Sequence, residues 1–212
     1  MIRTKICGLA TEEAVDAALS GGAAFIGFVF FRASPRNIDP GTAARLALPA
    51  RGKARVVAVT VDPDDELLDR LSRILAPDLI QLHGKESPAR ASEAGRRTGS
   101  GVIKVVPVAH EADLLLAHTY DGAAEHLMFE TKAPADSAMP GGHGLAFDWS
   151  LLAGARFERP WFLAGGLDPW NVAEAVRISG APLVDVSSGV ERGAGLKDPA
   201  LITSFLGAVR RA

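Results

Sequence analysis

The chain has 212 residues, of which 48 % are apolar and 23 % charged, and its 23 Lys and Arg against 25 Asp and Glu leave a net charge of -2. This composition excludes intrinsic disorder, which needs few apolar residues and a large net charge, and it lacks the basic footprint of a nucleic-acid-binding surface. A single cysteine excludes an intramolecular disulfide and fits a reducing compartment.

The start, Met1-Ile2-Arg3-Thr4-Lys5-Ile6-Cys7-Gly8, turns polar too quickly for a signal peptide and reads as a first strand, Ile2–Cys7. A helix is expected over Thr11–Ser20, with Thr11 as N-cap and Gly21-Gly22 beyond its end. Strands follow at Ala24–Phe30 and Arg55–Val61. The segment Asp64–Leu75 puts Leu67, Leu68, Leu71, Ile74 and Leu75 on one helical stripe. After the strand Leu79–Leu82, Pro88 opens a helix over Ser87–Arg97 that stops before Gly99. A strand at Val102–Val106, a short helix at Glu111–His118 and a strand at His126–Phe129 come next. The glycine-rich stretch Ala133–Gly144 is expected to be a flexible active-site loop. Trp161–Leu163 is a strand, and Asp168-Pro169 opens a helix over Trp170–Ile178. Leu183–Val186 is the last strand, and Asp198-Pro199 opens the last helix, Ala200–Arg211. No run reaches the roughly 18 apolar residues of a membrane span, so a soluble cytoplasmic protein is expected.

Most of these strands are continuous apolar runs with little alternation, as in parallel sheets buried on both faces. Eight strands alternating with helices, about one unit per 26 residues, predict a single α/β domain over residues 1–212: a closed (β/α)8 TIM barrel. The competing architecture is an open doubly wound sheet. Its Gly-x-Gly-x-x-Gly signature is missing, because Cys7-Gly8 leads into Leu9-Ala10-Thr11.

A barrel carries its site at the C-terminal ends of its strands. Collected there are Cys7-Gly8, Ser34-Pro35-Arg36, Asp62, Gln81-Leu82-His83-Gly84, Glu130-Thr131-Lys132, Gly165-Gly166 and Asp185-Val186-Ser187-Ser188-Gly189. Gly165 and Gly166, with Ser187, Ser188 and Gly189, follow strands seven and eight, where barrels bind phosphate through bare N–H groups. Read more simply, they are tight turns. Cys7 is either a small buried apolar residue or a reactive thiol, and Lys5, two residues earlier on the same strand face, is a cation that would favour the thiolate. Asp185 on the last strand neighbours the first once the barrel closes. Glu130 is a candidate general acid or else a solvated loop carboxylate. Arg36 has the fork that clamps a carboxylate, and His83 is an acid, a base or a hydrogen-bonded wall residue, of which the wall is favoured. No metal-site spacing occurs, so no metal is expected. His110, His118, His126 and His143 read as incidental, and Trp149, Trp161 and Trp170 as packing residues.

Taken in order, Lys5-Ile6-Cys7-Gly8-Leu9, Gly27-Phe28-Val29-Phe30, Ser34-Pro35-Arg36, Gln81-Leu82-His83-Gly84, Pro140-Gly141-Gly142-His143-Gly144 with Phe147-Asp148-Trp149, Ala164-Gly165-Gly166-Leu167 and Val184-Asp185-Val186-Ser187-Ser188-Gly189-Val190-Glu191 span the chain. With them the chain resembles the phosphoribosylanthranilate isomerases of tryptophan biosynthesis. The resemblance implies a cofactor-free Amadori rearrangement of N-(5-phosphoribosyl)anthranilate to 1-(2-carboxyphenylamino)-1-deoxyribulose 5-phosphate. It implies Cys7 as general base, Arg36 on the anthranilate carboxylate, and Gly165, Gly166, Ser187, Ser188 and Gly189 on the phosphate. Lys5, Gln81, His83 and Asp185 are expected to support them. The family's acid is an aspartate at the end of strand six, where this chain has Glu130. The added methylene moves the carboxyl group by about 1 Å, a shift that can cost on the order of 100-fold in rate. Expected partners are therefore a phosphorylated small molecule, with no nucleic acid and no membrane, in a monomer or homodimer. Two alternatives stand beside this reading: a catalytically impaired phosphate-ligand-binding barrel, and a phosphoribosyl aldose–ketose isomerase of histidine biosynthesis. The latter pattern has aspartates at strands one and six, and Cys7 speaks against it.

Overall fold

The computed structural model describes residues 2–132 and 146–212. Eight parallel strands close into a barrel in sequence order: β1 (Arg3–Cys7), β2 (Phe25–Phe30), β3 (Arg55–Thr60), β4 (Leu79–Leu82), β5 (Gly101–Val108), β6 (His126–Thr131), β7 (Trp161–Leu163) and β8 (Leu183–Val186). Closure is made by β1 on β8, in a register that sets Lys5 beside Asp185. A two-stranded ribbon, β9 (Glu191–Gly193) and β10 (Leu196–Lys197), lies antiparallel beyond β8.

Side chains on a strand alternate between the barrel interior and the helical layer. The interior set is Phe25, Val57, Val59, Leu79, Ile103, Val105, Met128, Phe162, Ala164 and Leu183, with Cys7 and Val29. The same parity carries Lys5, Gln81, Glu130 and Asp185 inward. At the barrel floor the Phe25 and Phe162 rings meet edge to face with centroids 5.1 Å apart. His126 lies against both rings, and burial lowers its pKa and keeps the imidazole neutral.

The outward set, with Ile6, Ile26, Phe28, Val56, Ala58, Ile80, Val102, Leu127 and Val184, packs under the helices. These are α1 (Glu12–Ser20), α2 (Pro40–Ala47), α3 (Asp65–Ile74), α4 (Pro88–Thr98), α5 (Leu115–His118), α6 (Val172–Ser179) and α7 (Pro199–Arg211). Their starts follow from capping chemistry. Thr11, Asp39, Asp64, Ser87 and Asp198 each accept a first-turn backbone N–H through a side-chain oxygen.

The helical ring departs from the expected pattern in three places. Helix α2 is not among the expected elements, although Asp39-Pro40 carries the same cap-and-proline signal as Asp198-Pro199. Trp170 does not start a helix: the Asp168 carboxylate accepts from the N–H groups of Trp170 (2.7 Å) and Asn171 (2.9 Å), making a turn that delays α6 to Val172. Nor does Trp170 pack, being 78 % exposed. Between β6 and β7 the described residues hold only a 3-10 turn, Trp149–Leu152. The expected loop Ala133–Gly144, with His143, lies outside the described residues. Among the described residues, no helix is long and apolar enough to cross a membrane.

Candidate active site

The polar residues gather at one end of the barrel. On β1, Lys5 is fully buried and its Nζ donates to Asp185 Oδ1 at 2.9 Å. Burial opposes its charge, but the carboxylate and the neighbouring sulfur outweigh that and push its pKa up to about 12. Gly27 on β2 makes room for this arrangement. A Cβ there would lie 3.2 Å from Lys5 Nζ and 3.3 Å from Cys7 Sγ.

Cys7 is 6 % exposed, one step nearer the mouth than Lys5. Burial pushes its thiol pKa above the ordinary value, Lys5 pulls it down, Asp185 pushes it up and Lys197 pulls it down. Lys5 thus favours the thiolate, as expected, but does not outweigh burial. Lys5 is already paired with Asp185, and desolvation of the sulfur wins. The thiol is the chain's only one, so alkylation reads it cleanly. Iodoacetamide labelling is expected to be slow at neutral pH and to accelerate about tenfold per pH unit towards pH 9, because the thiolate is the reactive form. A rate that levels off near pH 7 would mean a depressed thiol pKa instead.

On β4, Gln81 is 1 % exposed, and its Oε1 finds no hydrogen-bond partner among the described residues. Just past the strand, His83 Nε2 lies 2.9 Å from Glu130 Oε2 of β6. This contact sets His83 against the carboxyl group of the candidate acid. Glu130 itself is 8 % exposed, so it is no solvated loop carboxylate.

Arg36 sits in the loop after β2 and is 7 % exposed. Its Nε and Nη2 donate to Glu191 Oε1 and Oε2 at 2.7 and 2.8 Å, a bidentate pair on the side edge of the fork. The Nη1–Nη2 edge is the one suited to a ligand carboxylate. Arg36 also interacts electrostatically with Cys7 and Glu130, which places all three groups around one mouth. Glu191 in turn accepts from Lys197 Nζ at 2.6 Å. Lys197 Nζ also donates to the Ser187 carbonyl oxygen at 2.8 Å and Oγ at 3.2 Å, and Ser187 Oγ donates to the Cys7 carbonyl oxygen at 3.3 Å. Sequence reasoning assigned no role to Glu191 and missed Lys197. Both lie at the ribbon β9–β10, whose strands are too short to show a period.

The loops after β7 and β8 come together beside this network. Gly165 and Gly166 have φ of 84° and 66°, left-handed values that favour glycine. A Cβ on Gly165 would lie 2.6 Å from Thr131 Oγ1, and one on Gly189 would collide with the Leu167 carbonyl. Bare backbone at this end of a barrel suits a phosphate. The Ser187 hydroxyl is engaged by the Cys7 carbonyl oxygen and by Lys197. Buried cations on one side, bare backbone on another and a buried thiol and carboxyl between them suit proton transfer on a small anionic molecule.

Comparison with known proteins agrees with this chemistry. The family model described as N-(5'phosphoribosyl)anthranilate (PRA) isomerase matches residues 4–208. A curated N-(5'-phosphoribosyl)anthranilate isomerase of Caulobacter sp. (strain K31) is 62 % identical over 212 residues, covering 100 % of both chains. Among solved structures, mutually generated monomers of the dimeric phosphoribosylanthranilate isomerase from Thermotoga maritima superpose with a TM-score of 0.85 at 32 % identity, over 100 % of both chains. A phosphoribosyl anthranilate isomerase in complex with reduced 1-(o-carboxyphenylamino)-1-deoxyribulose 5-phosphate superposes with a TM-score of 0.84 at 30 % identity, again over 100 % of both chains.

Proposed function

The chain belongs to the N-(5'-phosphoribosyl)anthranilate isomerase family, an isomerase of tryptophan biosynthesis that acts on a phosphorylated small molecule, and we propose that Cys7 is its general base and Glu130 its general acid. Membership of this family decides against the histidine-pathway isomerase that the sequence left open.

In this reading Glu130 protonates the furanose ring oxygen, and the ring opens to a Schiff base. Cys7 then removes the proton from C2′, and the resulting enolamine tautomerises to the ketone. The imine of the substrate is its own electron sink, so no cofactor enters. The observation that carries the reading is the pairing of a buried thiol on β1 with a carboxyl on β6 held by His83 at 2.9 Å, both at the mouth of one barrel. Cys7 acts as the thiolate, its thiol proton having first passed to solvent; Lys5 and Lys197 stabilise that thiolate, and taking the C2′ proton returns it to the thiol. Gln81 and Asp185 line the interior beneath the two reacting groups.

Arg36 clamps the anthranilate carboxylate through the outer edge of its fork, and Glu191 holds that fork in place. The phosphate lies at the other end, on the backbone of Gly165, Gly166, Ser187, Ser188 and Gly189. Binding at both ends holds the reacting carbons between acid and base. We further place the protein in the cytoplasm, as one barrel domain that is a monomer or a homodimer.

The clamp is tested by Arg36→Met, which keeps much of the volume and removes the donors. KM for the phosphoribosyl anthranilate is expected to rise about 10- to 100-fold, the effect of losing a charge-assisted bidentate contact. Anthranilate-free pentose phosphates should bind as to the wild type. An unchanged KM would take the carboxylate away from Arg36.

A further inference from the structure

We propose that Glu86 and Lys104, a buried ion pair outside the barrel interior, are positioning residues that fix His83 against Glu130. The inference rests on the reading of Glu130 as the acid. Lys104 lies on β5 between Ile103 and Val105, which both face the interior, so its side chain points into the layer under the helices. It is 2 % exposed, Glu86 is 4 % exposed, and Lys104 Nζ donates to Glu86 Oε2 at 2.6 Å. Neither group reaches the mouth where the chemistry is placed.

What they grip is the backbone on either side of His83. Lys104 Nζ donates to the Gly84 carbonyl at 2.8 Å and approaches the Leu82 carbonyl at 3.4 Å. The Gly84 N–H donates to both Glu86 carboxylate oxygens at 3.0 Å, and the Asp62 N–H donates to Oε1 at 2.9 Å. Tyr120 closes the cluster: its hydroxyl donates to the Glu86 carbonyl at 2.6 Å, and its ring lies under Lys104 Nζ at 5.7 Å from the centroid. The Lys85 N–H donates to Asp62 Oδ1 at 2.7 Å, so the turns after β3 and β4 are tied together. Asp62 adopts φ 42°, a left-handed conformation that this double tie holds in place.

A buried ion pair is weak evidence for stability, because apolar residues of similar volume often serve as well or better. Its geometric demands are what distinguish it here. His83 Nε2 meets Glu130 Oε2 at 2.9 Å, and a hydrogen bond does not survive a displacement of about 1 Å. The pair on the outer face of the sheet thereby sets the position of the acid on the inner face.

The test uses Lys104→Met, Glu86→Gln and Tyr120→Phe in the full chain, with Lys104→Arg as the conservative variant. Steady-state kinetics, thermal unfolding and the His83 imidazole nitrogen resonances are measured, the resonances being assigned by comparison with His83→Gln. Lys104→Met is expected to lower kcat about 10- to 100-fold with KM changed less than about threefold, and to shift the His83 resonances. Glu86→Gln turns one of two oxygens that both accept from donors into a donor, so a kcat loss and a His83 shift of the same size as in Lys104→Met are expected, whereas Lys104→Arg, which keeps the charge and the donors, should stay within about tenfold of wild type. Tyr120→Phe removes only the hydroxyl, and a kcat loss of about threefold with a smaller His83 shift is expected even if Lys104→Met fails to fold. Folded variants with wild-type His83 resonances and wild-type kcat would overturn the proposal. If the His83 resonances shift while kcat holds, the pair does not serve the acid and the proposal also falls. Full activity of a Glu130→Gln variant would sink the acid reading by itself, distinguishable because the His83 shift in Lys104→Met would persist.

Discussion

Replacing Cys7 by alanine is expected to lower kcat about 1,000-fold while leaving the affinity for a product analogue nearly unchanged. General bases contribute typically 100- to 10,000-fold, and nothing else at the inner end of β1 offers an alternative: the neighbouring Lys5 is paired with Asp185 and pushed up to about 12, so it cannot accept a proton at neutral pH. The substituted side chain is small and buried, so the fold should tolerate the loss of one sulfur. Cys7→Ser should be nearly as poor, because a serine hydroxyl in the same desolvated place ionises far less readily than a thiol. Steady-state rates with the purified variants measure both effects. Turnover within tenfold of the wild type would remove Cys7 as the base.

Glu130→Gln is expected to have a comparable effect, with a kcat loss of about 100- to 10,000-fold, because the amide keeps the size and a hydrogen bond to His83 but has no proton to release to the ring oxygen. Glu130→Asp restores the shorter acid of the family. It gives up the present contact with His83, and the sign of the change reports which of the two distances matters. If Glu130→Gln turned over at the wild-type rate, the acid would have to be sought elsewhere in the mouth.

Much of the barrel and its mouth is legible in the sequence alone. The eight strands appear as apolar runs because a parallel barrel buries both faces of every strand, and their order alone predicts closure of β8 on β1. A spacing of two puts Lys5 and Cys7 on one face, and closure brings Asp185 to Lys5. Two kinds of information are hidden. The balance of charge and burial is one. Sequence puts a lysine near the thiol, but only the structure shows that lysine tied to Asp185 and the sulfur desolvated. Partners distant in sequence are the other. Glu191 grips Arg36 across the closed barrel, and Lys197 reaches back to Ser187 and Glu191 from a strand of two residues. Glu86 and Lys104 carry no mark in the sequence, since no periodic pattern reveals a charge buried between sheet and helix. Helix α2 is hidden for a lesser reason: its Asp39-Pro40 start is visible, but alanine and glycine in Pro40–Ala47 leave no apolar stripe to confirm it.

Turnover by the unaltered chain tests the account at its centre, which is that a glutamate at the end of β6 serves as the acid of this barrel. N-(5-phosphoribosyl)anthranilate is generated in place from anthranilate and phosphoribosyl pyrophosphate by an anthranilate phosphoribosyltransferase, and its fluorescence is followed on adding the protein. Rapid loss of the substrate signal, with kcat in the range of about 1–1,000 per second common to enzymes, is the predicted result. Persistence of the signal, while the reduced product analogue still binds, would contradict it: the barrel would then recognise both ends of the substrate and lack the acid to open its ring.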